Sequence, residues 1–259
     1  MLATVNDLVK LLEELMPSNL AEDWDNVGLM LGRKGKTVKK ILLALDLSKE
    51  VVEQAVAQKI DLIITHHPAI FKKLKRVVDN DWQQDLLLTL AENGIAVYSA
   101  HTNLDCVSTG VNDVLAKLLK LEEIEVLDDS NGLGRIGVVE EASLAEYAQV
   151  VKVALKADYV VVADAGKKVH KVAVCGGAGS DLIDLALTKG ADTLVTGDVK
   201  YHSAQQAVFS GLNIIDAGHQ PTELPVLDKL ADRLSLRLVE RDMDVVVNVA
   251  KETLILRHV

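Results

Sequence analysis

The sequence predicts an α/β fold with a largely parallel sheet, built on a duplicated strand–helix unit. Three observations predict it. Short β-branched runs alternate with helical patterns, the arrangement that parallel α/β units require. The alternation is then repeated in the second half of the chain. Finally, segments of the two halves match at constant offsets. Asp61 and Thr65 in "KIDLIITHH" match Asp192 and Thr196 in "GADTLVTGD", 131 residues on, and Gly94 and Ala100 match Gly211 and Ala217, 117 residues on. Two segments in the same order on matching strands point to an internal duplication.

The elements follow from local pattern. Thr4 can cap a first helix whose apolar face is Val5, Leu8, Leu12 and Leu15, with Pro17 just beyond its end. "KKILLALDL" reads as a buried strand, and Ser48 can cap the next helix, which carries Val51, Val52, Ala55 and Val56. "DLIIT" is a strand, "DWQQDLLLTLAENG" a helix stopped by Gly94, "IAVYSA" a strand and "VNDVLAKLLKL" a helix. The second pass runs "VHKVAVCG", "SDLIDLALTKG", "ADTLVTG", "YHSAQQAVFSG" and "LNIIDAG". Between the passes lies a strand–helix–strand stretch introduced by Asn131, Gly132 and Gly134, and a boundary is expected near residue 125. The C-terminal "SLRLVERDMDVVVNVAKETLILRHV" reads as closing strands and a helical piece that packs back on the first unit.

Composition narrows the function. The 259 residues are 49% hydrophobic but only 3% aromatic, so the core is aliphatic. A net charge of -10 repels phosphate backbones and argues against general nucleic-acid binding. The two cysteines, Cys106 and Cys175, lie far apart and read as small buried side chains in a reducing compartment. The N-terminus is amphipathic and acidic rather than a signal peptide, and no apolar run is long enough to span a bilayer. A cytoplasmic protein without membrane contact is expected.

Chemistry concentrates where strands end, since ligands of α/β sheets bind beyond the carboxyl ends of parallel strands. His66 and His67 follow "DLIIT", and Pro68 stops the ladder there. Taken alone, the segment also fits an ordinary loop with two solvated histidines, because an isolated His pair is no recognised zinc spacing. His101 and Asp105 follow "IAVYSA". Ser108 or Thr109 is the more natural cap for the helix after them, which leaves Asp105 to another task. His101 suits a ligand, an outer-shell group or a substrate-facing base. His219 and Glu223 follow the corresponding strand of the second half, with Pro221 suited to a first helical position and His219 just outside it. A capping or helix-dipole role for Glu223 competes with ligation.

Three imidazoles and two carboxylates (His66, His67, Asp105, His219 and Glu223) suit zinc, manganese, iron, cobalt or nickel. They exceed one open catalytic zinc and fit two ions, with Glu223 long enough to bridge. The turn at Gly176 and Gly177 is a weak phosphate-cradle candidate, and an ordinary tight turn explains it equally. Asp198, Lys200, Tyr201 and His202 stand at the second copy of the His66–His67 position. His202 also fits a plain helix-face residue, and His170 and His258 read as structural or exposed.

Together, "DWDNVGLMLG", "DLIITHHPAIF", "SAHTNLD", "GLGRIG", "CGGAGS", "TGDVKYH" and "DAGHQPTE", spread over residues 23 to 223, resemble the NIF3-like family. Its bacterial members are often called GTP cyclohydrolase 1 type 2 homologues. The resemblance implies two intertwined α/β domains, residues 1–125 plus 235–259 and residues 126–234, with mixed, mostly parallel sheets and a dinuclear metal centre in the cleft between them. It implies a toroidal homohexamer. Carried over by motif, the ligands are His66, His67, Asp105, His219 and Glu223, holding two divalent ions of zinc, manganese, iron or nickel. Some relatives are assigned the conversion of GTP to dihydroneopterin triphosphate and formate. A nucleotide substrate would then be served by His101 and His202 as proton-handling groups and by Gly176, Gly177 and Lys200 at the triphosphate. The competing expectations are a non-enzymatic metal-binding hexamer for storage, delivery or regulation, and a two-metal phosphoesterase.

Overall fold

The computed structural model describes residues 2–256, so His258 lies outside the described residues. The chain forms two compact α/β units, Met1–Val107 with Leu227–Thr253 and Ser108–Val226 with Leu254–Val259. It leaves the first unit, builds the second and returns.

The first unit contains β1 (Ala3–Thr4), α1 (Val5–Leu15), β2 (Gly28–Leu31), β3 (Thr37–Val38), β4 (Lys40–Ala44), α2 (Lys49–Gln58), β5 (Leu62–Thr65), α3 (Trp82–Glu92), β6 (Ala96–Ser99) and α4 (Thr102–Cys106). Thr4 caps α1 in a reciprocal box with Asp7, and Ser48 accepts from Val51 N to cap α2. The second unit contains α5 (Val111–Leu118), β7 (Glu122–Val126), β8 (Arg135–Ala142), α6 (Leu144–Ala154), β9 (Val161–Ala163), β10 (Val169–Ala178), α7 (Ile183–Thr188), β11 (Thr193–Gly197), α8 (Tyr201–Phe209), β12 (Asn213–Asp216) and α9 (His219–Glu223). Helix α10 (Pro225–Glu240) then carries the chain back to β13 (Val246–Val249) in the first unit.

The first unit's main sheet has the order β13-β4-β5-β6-β2, parallel throughout except for β2 at its edge. Strands β5 and β6 are buried along their whole length, as parallel strands covered on both faces must be. The second unit's sheet has the order β7-β8-β10-β11-β12-β9, with β10, β11 and β12 parallel and the outer strands antiparallel. Side chains of a strand alternate between faces. Val172, Val174, Val195 and Ile215 therefore enter one core with Tyr147 and Val151 of α6. Ala173, Cys175, Leu194 and Ile214 enter another with Ile183 and Ala186 of α7.

The duplication is visible in hydrogen bonds. Asp61 Oδ2 accepts from the amides of Lys39 and Lys40, and Asp192 Oδ2 accepts from those of His170 and Lys171, the same atoms 131 residues on. Strands β5 and β11 stand at that offset, and β6 and β12 at the offset of 117. The carboxylate clips the start of one strand to the start of its neighbour in both units. The change of unit falls at residue 107 rather than near 125. Glycines at 132 and 134 suggested the later break, but β7 pairs with β8 and α5 packs on β8 and β10. Among the described residues no helix is long and apolar enough to cross a membrane.

Candidate metal centre

In the first unit the parallel strands deliver their imidazoles to one place. His66 and His67 leave the end of β5, where their amides still bond to the carbonyls of Ala44 and Leu45. His101 leaves the end of β6 and opens α4. One ligand nitrogen from each of the three lies within 4.8 Å of the other two. The rings stand 5.0 Å (His66–His67), 5.3 Å (His66–His101) and 5.7 Å (His67–His101) apart. Asp105, one turn along α4 from His101, brings Oδ1 to 3.7 Å from His66 Nε2.

Each ring is held by its other nitrogen. His66, 1% exposed, places Nδ1 2.9 Å from the Ala100 carbonyl. A carbonyl only accepts, so Nδ1 carries the proton and Nε2 the lone pair. His67 Nδ1 meets Asp46 Oδ1 at 2.8 Å, and His101 Nδ1 meets Asp25 Oδ1 at 2.9 Å. Asp25 is itself fixed by the Thr102 amide and hydroxyl. Burial works to raise its carboxyl, but the bonds from His101 and Thr102 outweigh burial and hold it well below the usual carboxylate range. Asp46 is placed by Glu252, whose two oxygens accept from the amides of Leu45 and Asp46. Imidazoles fixed through one nitrogen by carboxylate or carbonyl are the usual preparation of metal ligands.

The second unit arranges its pair differently. His219 opens α9 and Glu223 closes it, so the two lie one turn apart, with Nε2 3.3 Å from Oε1. Helix α9 starts two residues earlier than Pro221 implied, which puts His219 inside the helix rather than before it. Glu223 is 3% exposed and ends α9, one residue short of the start of α10 at Pro225. His219 Nδ1 meets Asp198 Oδ2 at 2.8 Å. Asp198 adopts a left-handed backbone (φ 54°), which aspartate tolerates better than most residues. Gly177 (φ +64°) approaches so closely that a Cβ there would stand 2.3 Å from Glu223 Oε1 and 3.2 Å from His219 Nε2.

That contact changes the reading of the glycine-rich turn. Gly176 N donates to Asn112 Oδ1, Gly177 N to Thr222 Oγ1 and Gly179 N to Thr196 Oγ1. With those amides committed, the turn is not a phosphate cradle. Gly177 instead makes room for the His219–Glu223 pair, and Gly176 for Val111. Lys200 and His202 are exposed at the start of α8, where His202 packs edge-on against Tyr201 at 5.3 Å. Neither Ser108 nor Thr109 caps α5 through its side chain; Gly110 takes the cap position. His170 bonds the Val139 carbonyl on β8, a structural role. Asp25, Asp46 and Glu252 were not singled out from sequence. Asp46 follows the buried run "ILLAL" at a strand end, the same signal that marked His66.

An α/β protein of two duplicated units, each carrying oriented metal-type donors at its strand ends, is the class that fold and sites define. The chain belongs to the Duf34/NIF3 (NGG1p interacting factor 3) family, whose model matches residues 3–253. It is 37% identical over 255 residues to the GTP cyclohydrolase 1 type 2 homolog of Clostridium perfringens, covering 96% of each chain. It is 38% identical over 234 residues to the Lactococcus lactis protein of the same name, covering 89% of this chain and 91% of that one. A crystal structure of a Bacillus cereus protein related to NIF3 superposes with a TM-score of 0.94 at 26% identity, covering 100% of both chains.

Proposed function

We propose that this chain is a dinuclear metal-binding protein acting as a metal-dependent hydrolase of the GTP cyclohydrolase type, which converts GTP to dihydroneopterin triphosphate and formate. The observation that carries the reading is the shared preparation of four imidazoles. His66, His67, His101 and His219 each engage an acceptor through Nδ1, three of them a carboxylate. Asp105 beside His66 in the first unit and Glu223 beside His219 in the second add oxygen donors, and nitrogen and oxygen donors of this kind suit zinc, manganese, iron or nickel. The names of the relatives support the choice of GTP.

Bound divalent ions would supply Lewis acidity and make hydroxide available near neutral pH. The rest falls to the chain's own residues. His66, His67, Asp105, His219 and Glu223 hold the ions, and Asp46, Asp25 and Asp198 keep the rings in the productive tautomer. His101 moves protons at Nε2 as the imidazole ring of the substrate opens. Lys200, exposed at the head of α8, meets the triphosphate, and His202 beside it handles protons with His101. The working assembly in this reading is a toroidal homohexamer in the cytoplasm, and light scattering should return a mass near six times 28.0 kDa.

A second reading, a non-enzymatic hexamer for metal storage, delivery or regulation, is favoured by one observation: the glycine-turn amides that could hold a triphosphate are already taken. Protein loaded with each metal should be incubated with GTP and assayed for formate, pterin fluorescence and phosphate, with His67→Ala alongside. Formate and pterin that disappear in His67→Ala are expected. About two bound ions per chain with no product from any nucleotide would leave the binding role. Phosphate without formate would make the protein a phosphoesterase.

A further inference from the structure

All four Trp and Phe side chains of this chain, Trp24, Phe71, Trp82 and Phe209, are exposed, so none of them packs the core. Two of the four stand together beside the first unit's imidazoles. Trp24, 61% exposed, lies edge-to-face with Phe71, 51% exposed, at 6.2 Å, and with His101 at 6.1 Å. Clustered exposed aromatics mark a surface where a ligand or partner can bind.

Their backbone is built rather than loose. Glu22 N donates to Thr102 Oγ1, and the buried Asp25 carboxylate holds His101, the Thr102 amide and the Thr102 hydroxyl. Asn26 Nδ2 donates to the Ile70 carbonyl, which ties the loop of Trp24 to the loop of Phe71. The residues on both sides of Trp24 are thus pinned to the segments that present His101 and Phe71. Pinning of this kind pre-organises a surface and lowers the ordering cost of binding. Trp24 meets both aromatic neighbours at steep angles, 74° and 77°, so among the described residues no parallel ring is stacked on it.

We propose that Trp24 is an aromatic platform that stacks the planar nitrogen heterocycle of a ligand, with Phe71 meeting the stacked ring at its edge, and that the ligand's reacting edge faces His66, His67 and His101. This rests on the proposed metal-dependent reading of those imidazoles and deepens it by naming what selects the substrate. A ring stacked on Trp24 gains dispersion and quadrupole contacts that a sugar phosphate lacks. Trp24 and Phe71 are therefore specificity-determining residues, and the imidazoles act on what they hold.

The test uses Trp24 as its own probe. In Trp82→Phe protein it is the sole tryptophan. Zinc-loaded and zinc-free samples, with zinc content measured in each, are titrated with guanosine, adenosine and ribose 5-phosphate. Both nucleosides should quench Trp24 emission saturably, and ribose 5-phosphate should not. By equilibrium dialysis, Trp24→Leu and Phe71→Leu should each bind guanosine roughly tenfold more weakly while keeping their zinc, and Trp24→Tyr should restore most of the affinity. Quenching in a protein that takes up no zinc would uphold the platform and sink the metal reading. Equal guanosine affinity in Trp24→Leu, equal quenching by ribose 5-phosphate, or a Trp24→Leu protein whose oligomeric mass changes would overturn the platform.

Discussion

The ends of β5 and β6 in the first unit, and of β11 and β12 in the second, are the same place in a duplicated framework with different chemistry. The framework is conserved to the hydrogen bond. The amides of Ala100 and Ala217 bond the carbonyls of Thr65 and Thr196, and Asp61 and Asp192 make the same strand clip. At the tips the copies diverge. Where the first unit has His66 and His67, the second has Gly197 and Asp198. A Cβ at Gly197 would stand 2.6 Å from Gly218 C and His219 N, so the start of α9 occupies the space that an imidazole fills in the other copy. The second unit has exchanged an imidazole pair for a helix that brings its own His and Glu. Asp198, at the position of His67, has become the group that orients His219. A duplicated scaffold can therefore redistribute imidazoles and the carboxylates that orient them without moving a strand.

The sharpest way to break this comparison is at Gly197. Gly197→Ala drives a methyl into backbone, and unfolding should show a loss of about 3 kcal/mol or more. His67→Ala, at a partly exposed tip, should stay within about 1 kcal/mol of the parent. Equal losses would mean the two tips are packed alike.

The supporting carboxylates come next. Asp46→Asn in the first unit and Asp198→Asn in the second should each weaken metal binding by about 10- to 100-fold, read by competition with a chelator. An effect confined to one of them would show that only one unit prepares its imidazole in this way.

The strand clip gives a pH-dependent comparison. Burial raises the Asp61 carboxyl, but the Lys39 amide, Lys36 and the Lys40 amide outweigh burial and hold it below its ordinary value. A depressed carboxylate stabilises the fold above the unfolded value of about 3.9, and the contribution is lost as pH falls through the folded value. The destabilisation caused by Asp61→Asn should therefore be full at about pH 6 and shrink towards about pH 3. A gap that widens on acidification would reverse the sign.

The smallest expected effect is at the stop of the helix before each clip. Lys59 adopts φ 56°, and its counterpart Gly190 adopts φ +80°. Lys59→Gly relieves a left-handed side-chain residue but frees the unfolded chain, for a net gain of about 0.5 kcal/mol. Gly190→Lys should lose about 1 kcal/mol.

Much of the framework was legible because it rests on local signals. Thr4 and Ser48 cap where expected, and the offsets of 131 and 117 landed on paired strands. His66, His67 and His101 were found by strand-end logic, and the structure brings those three together. The unit boundary was misplaced because Gly132 and Gly134 mark a turn inside a hairpin, whereas β7 belongs with its partner β8. The glycine turn fits both a phosphate cradle and an ordinary tight turn in sequence, because sequence shows which amides could reach a phosphate, not that Asn112, Thr222 and Thr196 already hold them. Glu252 escaped notice because its link to Asp46 spans 206 residues of chain and no local pattern announces it.

Both units are expected to contribute prepared metal donors. Equilibrium dialysis of the purified chain against a divalent metal, with bound ion counted per chain, tests this most directly. About two ions per chain are expected, with His66→Ala and His219→Ala each removing at least one or weakening it by about 100-fold or more. Fewer than one ion in the parent protein, or two ions in both variants, would contradict it.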